Sequence, residues 1–431
     1  MASPKSVAYD GEHPTVRVLF FNEGNLGTHI LGQGQLDAAL HAGLRIAPDV
    51  ETHFAQLTPM GRWARAGASG TTPRLKRANI DFRTLRWHVV QSLRTRAQLR
   101  HALSTWPADV VHVHSNSIAL ALGATMHAVP VVLSVDTTVH DWWAMPAWQP
   151  THSHGSIAIA PSRVFERRAL RGAALVLAWT AWACRAVERE APGARVIEHH
   201  PGIDLQLYRP LPRRERARPR VLFVGGRFVE KGGADLLTAL REQLGRDVDL
   251  DLVTPADVAE RAGVRVHRLA PSDPRLLDLE QQADVLCLPT YGDTNPWVLL
   301  EAMACGTPVV STPVGGIPDL LGDGRVGVLT PYGDPRALGE AVRALLGDPQ
   351  RRAQLAGRAR KHCEERYDAR RQFTLLLARL REISSAAHGE LTGPSRPVEA
   401  YGRPPTIALP LGVARARRPR KAIRPTSRVE G

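Results

Sequence analysis

Short apolar runs rich in Val and Leu alternate with longer stretches of helical periodicity from residue 16 onward. "VRVLFF" (16–21), "DVVHVH" (109–114), "VPVVLSV" (129–135) and "ALVLA" (174–178) are continuous apolar runs of strand length, the pattern of strands covered on both faces of a parallel sheet. After the charged, Pro-flanked stretch Arg213-Arg214-Glu215-Arg216 the pattern restarts with "RVLFVGG" (220–226), "LDLV" (250–253), "VRVH" (264–267), "DVLCLP" (284–289) and "PVVST" (308–312). Strand-helix alternation occurring twice predicts an α/β fold of two Rossmann-like, doubly wound parallel-sheet domains facing a cleft. The expected boundaries are an N-terminal extension at 1–14, a first domain at 15–205, a second at 206–386 and a tail at 387–431. The tail is rich in Pro, Gly and Arg without periodicity, and disorder is expected there.

Ligands of such sheets bind beyond the carboxyl ends of the strands, which directs attention to two loops. "FVGGRFVEKGG" (223–233) leaves a strand through paired glycines, places Arg227 and Lys231 beside them, and runs into the helical pattern "ADLLTALREQL". Glycine lets backbone approach an anion closely, and two cations neutralise it. "YGDTNPWVLLEAMACGTPVVSTPVGG" (291–316) reads as a strand end, a tight loop and a helix opened by Pro296, with Asp293 outside the helix and Glu301 inside it. Pro is tolerated at a first helical position, and a helix N-terminus attracts phosphate.

Composition adds limits. The 431 residues are 43% apolar, enough for two ordinary cores and a tail. The net charge of +14 would suggest nucleic acid if it covered a folded face, but it is concentrated in two segments. Residues 387–431 carry nine Arg/Lys against three Glu, and residues 61–100 carry ten (Arg62, Arg65, Arg74, Lys76, Arg77, Arg83, Arg86, Arg94, Arg96, Arg100) against Asp81. The rest is near neutral, so no nucleic-acid partner is expected. The start of the chain lacks the order of a secretory signal, no apolar run is long enough to span a bilayer, and the four Cys are scattered without a C-x-x-C pair. A cytoplasmic protein is expected.

Arg227 and Lys231 after "VGG", the D-x7-E of Asp293 and Glu301 running into "EAMACGTPVV", and "STPVGGIPDLL" (311–321) resemble the retaining, nucleotide-sugar-dependent glycosyltransferases of the family 4 type. In the first half "ADVVHVHS" (108–115), "VPVVLSVD" (129–136) and "HHPGIDLQLYRP" (199–210) are similar to segments of the same family. The resemblance implies a GT-B fold, with the acceptor on the first domain and the nucleotide sugar, a co-substrate rather than a cofactor, mainly on the second. It implies that Arg227 and Lys231 hold the donor diphosphate, that Glu301 accepts from the ribose hydroxyls, and that Asp293 accepts from the donor sugar. Gly226 and backbone N–H groups near Asn295 and Trp297 would face the phosphate, while Gly24 and Gly27 in "NEGNLGTH" (22–29) would leave room across the cleft. Asp136 would stand beside the donor sugar.

Three residues depart from the family pattern: Asp293 replaces the usual Glu, Pro296 removes a backbone donor, and Asp136 stands where the family has His. The expected activity is transfer of a hexose to a glycan or lipid-linked acceptor with retention and without metal. The alternatives are a nucleotide-sugar epimerase on the same fold and, from another class, a basic nucleic-acid adaptor. "DVDLD" (247–251) resembles a metal-binding D-x-D but lies at the amino end of a strand, and the pairs His112/His114 and His152/His154 lack a third ligand. Trp142, Trp143 and Trp148 are expected to pack an irregular segment. Residues 84–103 suit an amphipathic helix with Leu85, Val89, Leu93, Leu99 and Leu103 as its apolar stripe, and together with the basic residues from 61 onward this segment is a candidate dock for an anionic membrane surface.

Overall fold

The computed structural model describes residues 15–23, 40, 43–46, 49–69, 83–147, 155–245, 247–260 and 262–387. The tail, Gly24 and Gly27, the basic residues Arg74, Lys76 and Arg77, the pair His152/His154 and Trp148 lie outside them.

Two six-stranded parallel sheets are seen among the described residues. The first contains β1 (Val16–Asn22), β2 (Val50–Gln56), β3 (Val110–His114), β4 (Val131–Val135), β5 (Leu175–Ala178) and β6 (Val196–Glu198), ordered β2-β1-β3-β4-β5-β6. The second contains β7 (Arg220–Val224), β8 (Asp249–Val253), β9 (Val264–His267), β10 (Val285–Leu288), β11 (Val309–Ser311) and β12 (Val328–Leu329), ordered β12-β11-β10-β7-β8-β9. The helices are α1 (Arg62–Ser69), α2 (Arg83–Thr105), α3 (Gly123–Ala128), α4 (Val139–Ala144), α5 (Gly155–Gly172), α6 (Ala181–Glu190), α7 (Gly233–Ala239), α8 (Pro274–Gln282), α9 (Trp297–Ala304), α10 (Ile317–Leu320), α11 (Pro335–Gly347), α12 (Pro349–Arg366) and α13 (Ala369–Ala387).

The expected strands are present, because β3, β4, β5 and β10 are buried at every position and a continuous apolar run is the only composition that suits them. The three strands not expected, β2, β6 and β12, all stand at sheet edges. β2, "VETHFAQ", buries fully only Val50, so its sequence alternates and resembles a loop. The helix expected over 234–244 divides into α7 and a π turn at Leu240–Leu244, closed by Gly245.

Strand order reverses between β1 and β3 in the first sheet and between β7 and β10 in the second. Such switch points open a crevice at the carboxyl edge. The crevice of the second sheet is therefore bounded by the loop after β7, with Arg227 and Lys231, and the loop after β10, with Asp293.

One element departs from the expected boundaries. The apolar positions Ala369, Phe373, Leu376, Leu377, Leu380 and Ile383 fall on one face of α13 and pack on Val18, Phe20, Val110, Val132, Leu175 and Leu177 of the first sheet. Phe373 stacks on Phe20 with ring centroids 5.7 Å apart. The last helix, expected with the second domain, thus completes the core of the first. The chain crosses between the sheets twice, and the crossings pair: Ile203 N–H donates to Tyr367 O (2.6 Å) and Ala369 N–H to Ile203 O (3.0 Å). A Cβ at Gly202 would stand 2.5 Å from Ala369 Cα, so glycine is required for that approach.

Candidate active site

The loop after β7 is built for close contact. Gly232 is left-handed (φ 77°), and a Cβ there would meet Pro289 O at 2.0 Å; a Cβ at Gly233 would meet the Phe228 ring at 2.3 Å. These glycines draw the loop against the end of β10. Gly226, by contrast, has open space where its Cβ would be. Arg227 is exposed and its carbonyl accepts from Lys231 N–H (2.9 Å), a turn that sets the two cations on one loop.

Lys231 reaches across the switch point. Its Nζ is ion-paired with the Asp293 carboxylate and donates to Gly292 O (3.2 Å). The 292–296 loop is held from behind by the paired glycines that follow β11. Gly315, at φ 59°, would place a Cβ 2.0 Å from Asp293 O, and Gly316 a Cβ 2.3 Å from Thr294 O while its N–H donates to that same oxygen. Pro296 is the N-cap of α9, one residue before the position expected, and offers no side-chain cap to the first turn of α9, in which Leu299 N–H donates to Pro296 O (3.1 Å). The Asn295 carboxamide is 4% exposed, and neither it nor the Trp297 indole N–H has a hydrogen-bond partner among the described residues. Trp297 meets Trp179 of the first domain edge to face at 6.4 Å.

From the first domain, Asp136 follows β4 and accepts from Thr294 Oγ of the second (2.8 Å). Burial, helped by the facing Asp293, holds its carboxyl above the usual carboxylate range. The Asp136 segment is buttressed beneath by Glu166, whose carboxylate accepts from Val139 N–H (3.0 Å) while Asn116 Nδ2 donates to Thr137 O (2.9 Å). Burial pushes the Glu166 carboxyl up to about 8. At the first sheet's own switch point stand Glu23, accepting from Ser117 Oγ (3.0 Å), and Ser115, a non-glycine residue at φ 92°. A left-handed serine at a strand's carboxyl end stores strain where function is commonly found.

Further contacts join the domains around the cleft. Ala147 N–H donates to Tyr291 O (2.9 Å), Trp182 N–H donates to the Asp319 carboxylate, and Arg185 lies 3.6 Å from Asp319.

Glu301, in the second turn of α9, is buried with its Oε1 accepting from Tyr208 Oη (3.2 Å). The Glu280 carboxyl of α8 lies against it. Burial pushes Glu301 up to about 6 and Glu280 well above the usual range, the latter also through the neighbouring Glu301 charge.

The site residues assigned in the second domain thus converge on one crevice, joined there by Asp136, while Glu301 lies deeper on α9. Glu23, Ser115, Ser117, Glu166, Thr294, Tyr208 and Glu280 were missed. Position on a switch point could have flagged Glu23 and Ser115; no sequence signal marks Glu280. Among the described residues no group of three or more His, Cys, Asp or Glu is arranged to hold a metal. His112 and His114 are buried edge to face at 4.7 Å, and His112 Nε2 lies 2.8 Å from Ser134 Oγ. Asp251 of "DVDLD" is clasped by Arg220 (2.9 Å), Arg265 (3.0 Å) and His267 (2.7 Å), a structural ion cluster within the sheet. Trp142 and Trp143 meet edge to face at 5.8 Å.

Two Rossmann-like sheets whose ligand edges meet across a cleft define a GT-B protein. Residues 16–207 match the family described as Glycosyltransferase Family 4, and residues 218–348 match Glycosyl transferases group 1. The chain is 31% identical over 297 residues to D-inositol 3-phosphate glycosyltransferase 1 of Catenulispora acidiphila, covering 59% of this chain and 68% of that protein. It is 28% identical over 382 residues to alpha-maltose-1-phosphate synthase of Mycolicibacterium smegmatis, covering 80% and 92%. Sucrose-phosphate synthase of Thermosynechococcus elongatus shares the fold at a TM-score of 0.63 and 17% identity, over 86% of this chain and 100% of that one. Anabaena Alr3699/HepE, solved in complex with UDP, does so at 0.59 and 17%, over 85% and 100%. The chain belongs to the group 1 glycosyltransferases of the family 4 type.

Proposed function

We propose that this glycosyltransferase moves a hexose from a nucleoside-diphosphate sugar to a hydroxyl acceptor with retention of configuration and without a metal. The observation that carries the reading is the meeting of Lys231, Asp293, Thr294 and Asp136 where the two switch-point edges face each other. Arg227, Lys231 and the start of α9 supply positive charge for a diphosphate whose own charge grows as it leaves. In this reading the donor diphosphate takes over Lys231 and releases Asp293 to accept from the sugar hydroxyls. Asp136, presented from the opposite domain, stands where positive charge would develop at the anomeric carbon, a role that suits a carboxylate better than the imidazole usual in the family. Glu301 receives the ribose hydroxyls, and Gly226, with no side chain, leaves space for the phosphates.

The acceptor enters from the first domain, and a lipid-linked saccharide is the acceptor class proposed. No described helix is long and apolar enough to cross a membrane. The support is on α2, although its faces differ from the stripe expected. Gln91, Ser92, Thr95 and Leu99 are buried, whereas Leu93 is 53% exposed and Arg100 is exposed on the same side. Leu93 therefore belongs to the outer face, where an apolar side chain beside cations suits an anionic surface. Arg94 does not contribute, since it donates to Thr58 O (2.6 Å) and Gln91 Oε1 (2.7 Å). A thermal-shift panel of UDP-, GDP- and ADP-sugars tests the donor, because a ligand of the native state raises the midpoint by mass action. Isomerisation of a donor incubated alone, with no transfer to any acceptor, would replace the transferase reading with an epimerase.

A further inference from the structure

Against Glu301, the residue assigned to the ribose hydroxyls, lies a second carboxyl, Glu280, that the donor chemistry does not account for. Glu280, on α8, is 1% exposed, and neither of its oxygens meets a donor among the described residues. The polar group it faces is the Glu301 carboxyl, itself 8% exposed and otherwise bonded to Tyr208 Oη at 3.2 Å. Two carboxylates cannot hydrogen-bond, since both only accept; the contact becomes a bond when one of them carries a proton. Two adjacent anions removed from water are also far costlier than one.

We infer that Glu280 is a positioning residue that works as a neutral carboxylic acid, donating its proton to Glu301 so that Glu301 stays ionised to receive the two ribose hydroxyls of the donor. The inference rests on the donor-site reading above. The partition follows from the surroundings. Glu280 has no other donor to stabilise its charge, whereas Glu301 has the Tyr208 hydroxyl. Burial pushes Glu280 well above the usual range and Glu301 up only to about 6, and the bond from Glu280 itself pulls Glu301 down. The other titratable groups around the pair are Cys305 at the end of α9 and, on α12, Arg360, Cys363 and Glu364. Burial pushes both thiols up, so they stay uncharged. Arg360 is spent on Tyr208 O (2.7 Å), Ala304 O (2.8 Å) and Glu364 (2.7 Å). The Cys363 thiol is directed to Leu300 O (3.9 Å), a thiol is in any case a weak donor, and the bonds of Arg360 go elsewhere, so Glu280 is the stronger donor facing Glu301.

The test is calorimetric titration of the full chain with UDP, GDP and ADP from pH 5 to 8, for wild type, Glu280→Gln and Glu280→Met. For whichever diphosphate binds, the ratio of wild-type affinities for it and for its 2′,3′-dideoxy analogue, in which titration of the phosphate cancels, should be flat above about pH 6 and fall below it as Glu301 takes up its own proton. Gln retains a donor and should keep the pH 7 affinity within about threefold, whereas Met lacks one and should lose about tenfold and move the acid limb upward. The loss in Glu280→Met should vanish with the matching 2′,3′-dideoxynucleotide, which a general loosening of the fold would not produce. A folded Glu280→Met with the wild-type profile overturns the inference, as does Glu280→Gln weakening binding as much as Met. Should Glu280→Met not fold, a wild-type affinity ratio that is level from pH 5 to 8 overturns it. If no diphosphate binds wild type at any pH, the donor-site reading fails and this inference with it.

Discussion

Replacing Lys231 by Met isolates the charge proposed to act on the donor diphosphate. In the free enzyme the ammonium is paired with Asp293, and the two side chains are 22% and 15% exposed. Unit charges about 4 Å apart attract by about 4 kcal/mol at an effective dielectric near 20. Solvent contact on both partners and the entropy of holding a long side chain reduce the net loss to about 1–2 kcal/mol, so the variant should fold and melt a few degrees lower. Its catalysis should suffer more. Removing one preorganised group from a site of developing charge costs about 100-fold or more in turnover, and no other lysine stands on the loop after β7 to replace this one. The assay is release of nucleoside diphosphate from the donor identified by thermal shift, with and without acceptor, beside a melting curve. Turnover within threefold of wild type, in a variant still stabilised by the donor, would refute the reasoning, because Lys231 would then be serving only its ion pair.

Gly315→Ala should lower turnover and melting temperature together, because an added methyl would lie 2.0 Å from Asp293 O on a left-handed residue, whereas Gly226→Ala meets open space and should fold normally; melting curves separate the two. Activity should survive EDTA, since the diphosphate charge is met by Arg227, Lys231 and the start of α9; loss restored by Mg²⁺ or Mn²⁺ would mean that the acidic residues hold a metal instead. Stability should decline as pH falls from about 6.5 toward 4: burial holds His88, His199 and His362 near 4, His114 and His200 near 3 and His112 well below its usual value, so the unfolded chain binds protons that the folded chain refuses, and these six outnumber the strongly raised carboxyls Glu166, Glu280 and Glu301, which act in the opposite sense. Urea midpoints unchanged between pH 7 and 4.5 would contradict that. Cosedimentation with anionic liposomes at low salt, reduced by Leu93→Glu and Arg100→Glu, is expected if the outer face of α2 docks on a membrane; protein remaining in the supernatant at low salt would remove that proposal.

The central strands and the two loops from which the candidate site is drawn were legible because each rests on a local pattern. Continuous apolar runs mark strands buried on both faces, and "VGGRFVEK" and "YGDTNPW" carry their chemistry within a few residues of a strand end. What was not legible depends on pairing across the fold. β2 is half exposed at a sheet edge, so its composition reflects solvent as much as the sheet. On α2 the inward face mixes Leu99 and Leu103 with Gln91, Ser92 and Thr95, of which Ser92 donates to Ser117 O (3.1 Å) and Gln91 accepts from Arg94 (2.7 Å), so a stripe sought by hydrophobicity alone finds Leu99 and Leu103 but wrongly includes the exposed Leu93. α13 has a clean helical stripe, yet nothing local says which sheet it covers, and its position after the second domain suggests the wrong one.

Asp136 shows how the two kinds of information combine. The sequence marks it only as a departure from the family's His, with no indication of what the carboxylate would face. The structure supplies Thr294 from the other domain, donating at 2.8 Å, and Asp293 close enough to raise the Asp136 carboxyl. The bond from Thr294 supports the Asp136 anion against the burial and the facing Asp293 that raise its carboxyl. Thr294→Val removes the donor while keeping the shape of the side chain, and it should raise the acid limb of the turnover profile while leaving nucleotide affinity near that of wild type. An unshifted limb with intact turnover would mean that Thr294 only fastens the domains and that Asp136 takes no part in the chemistry.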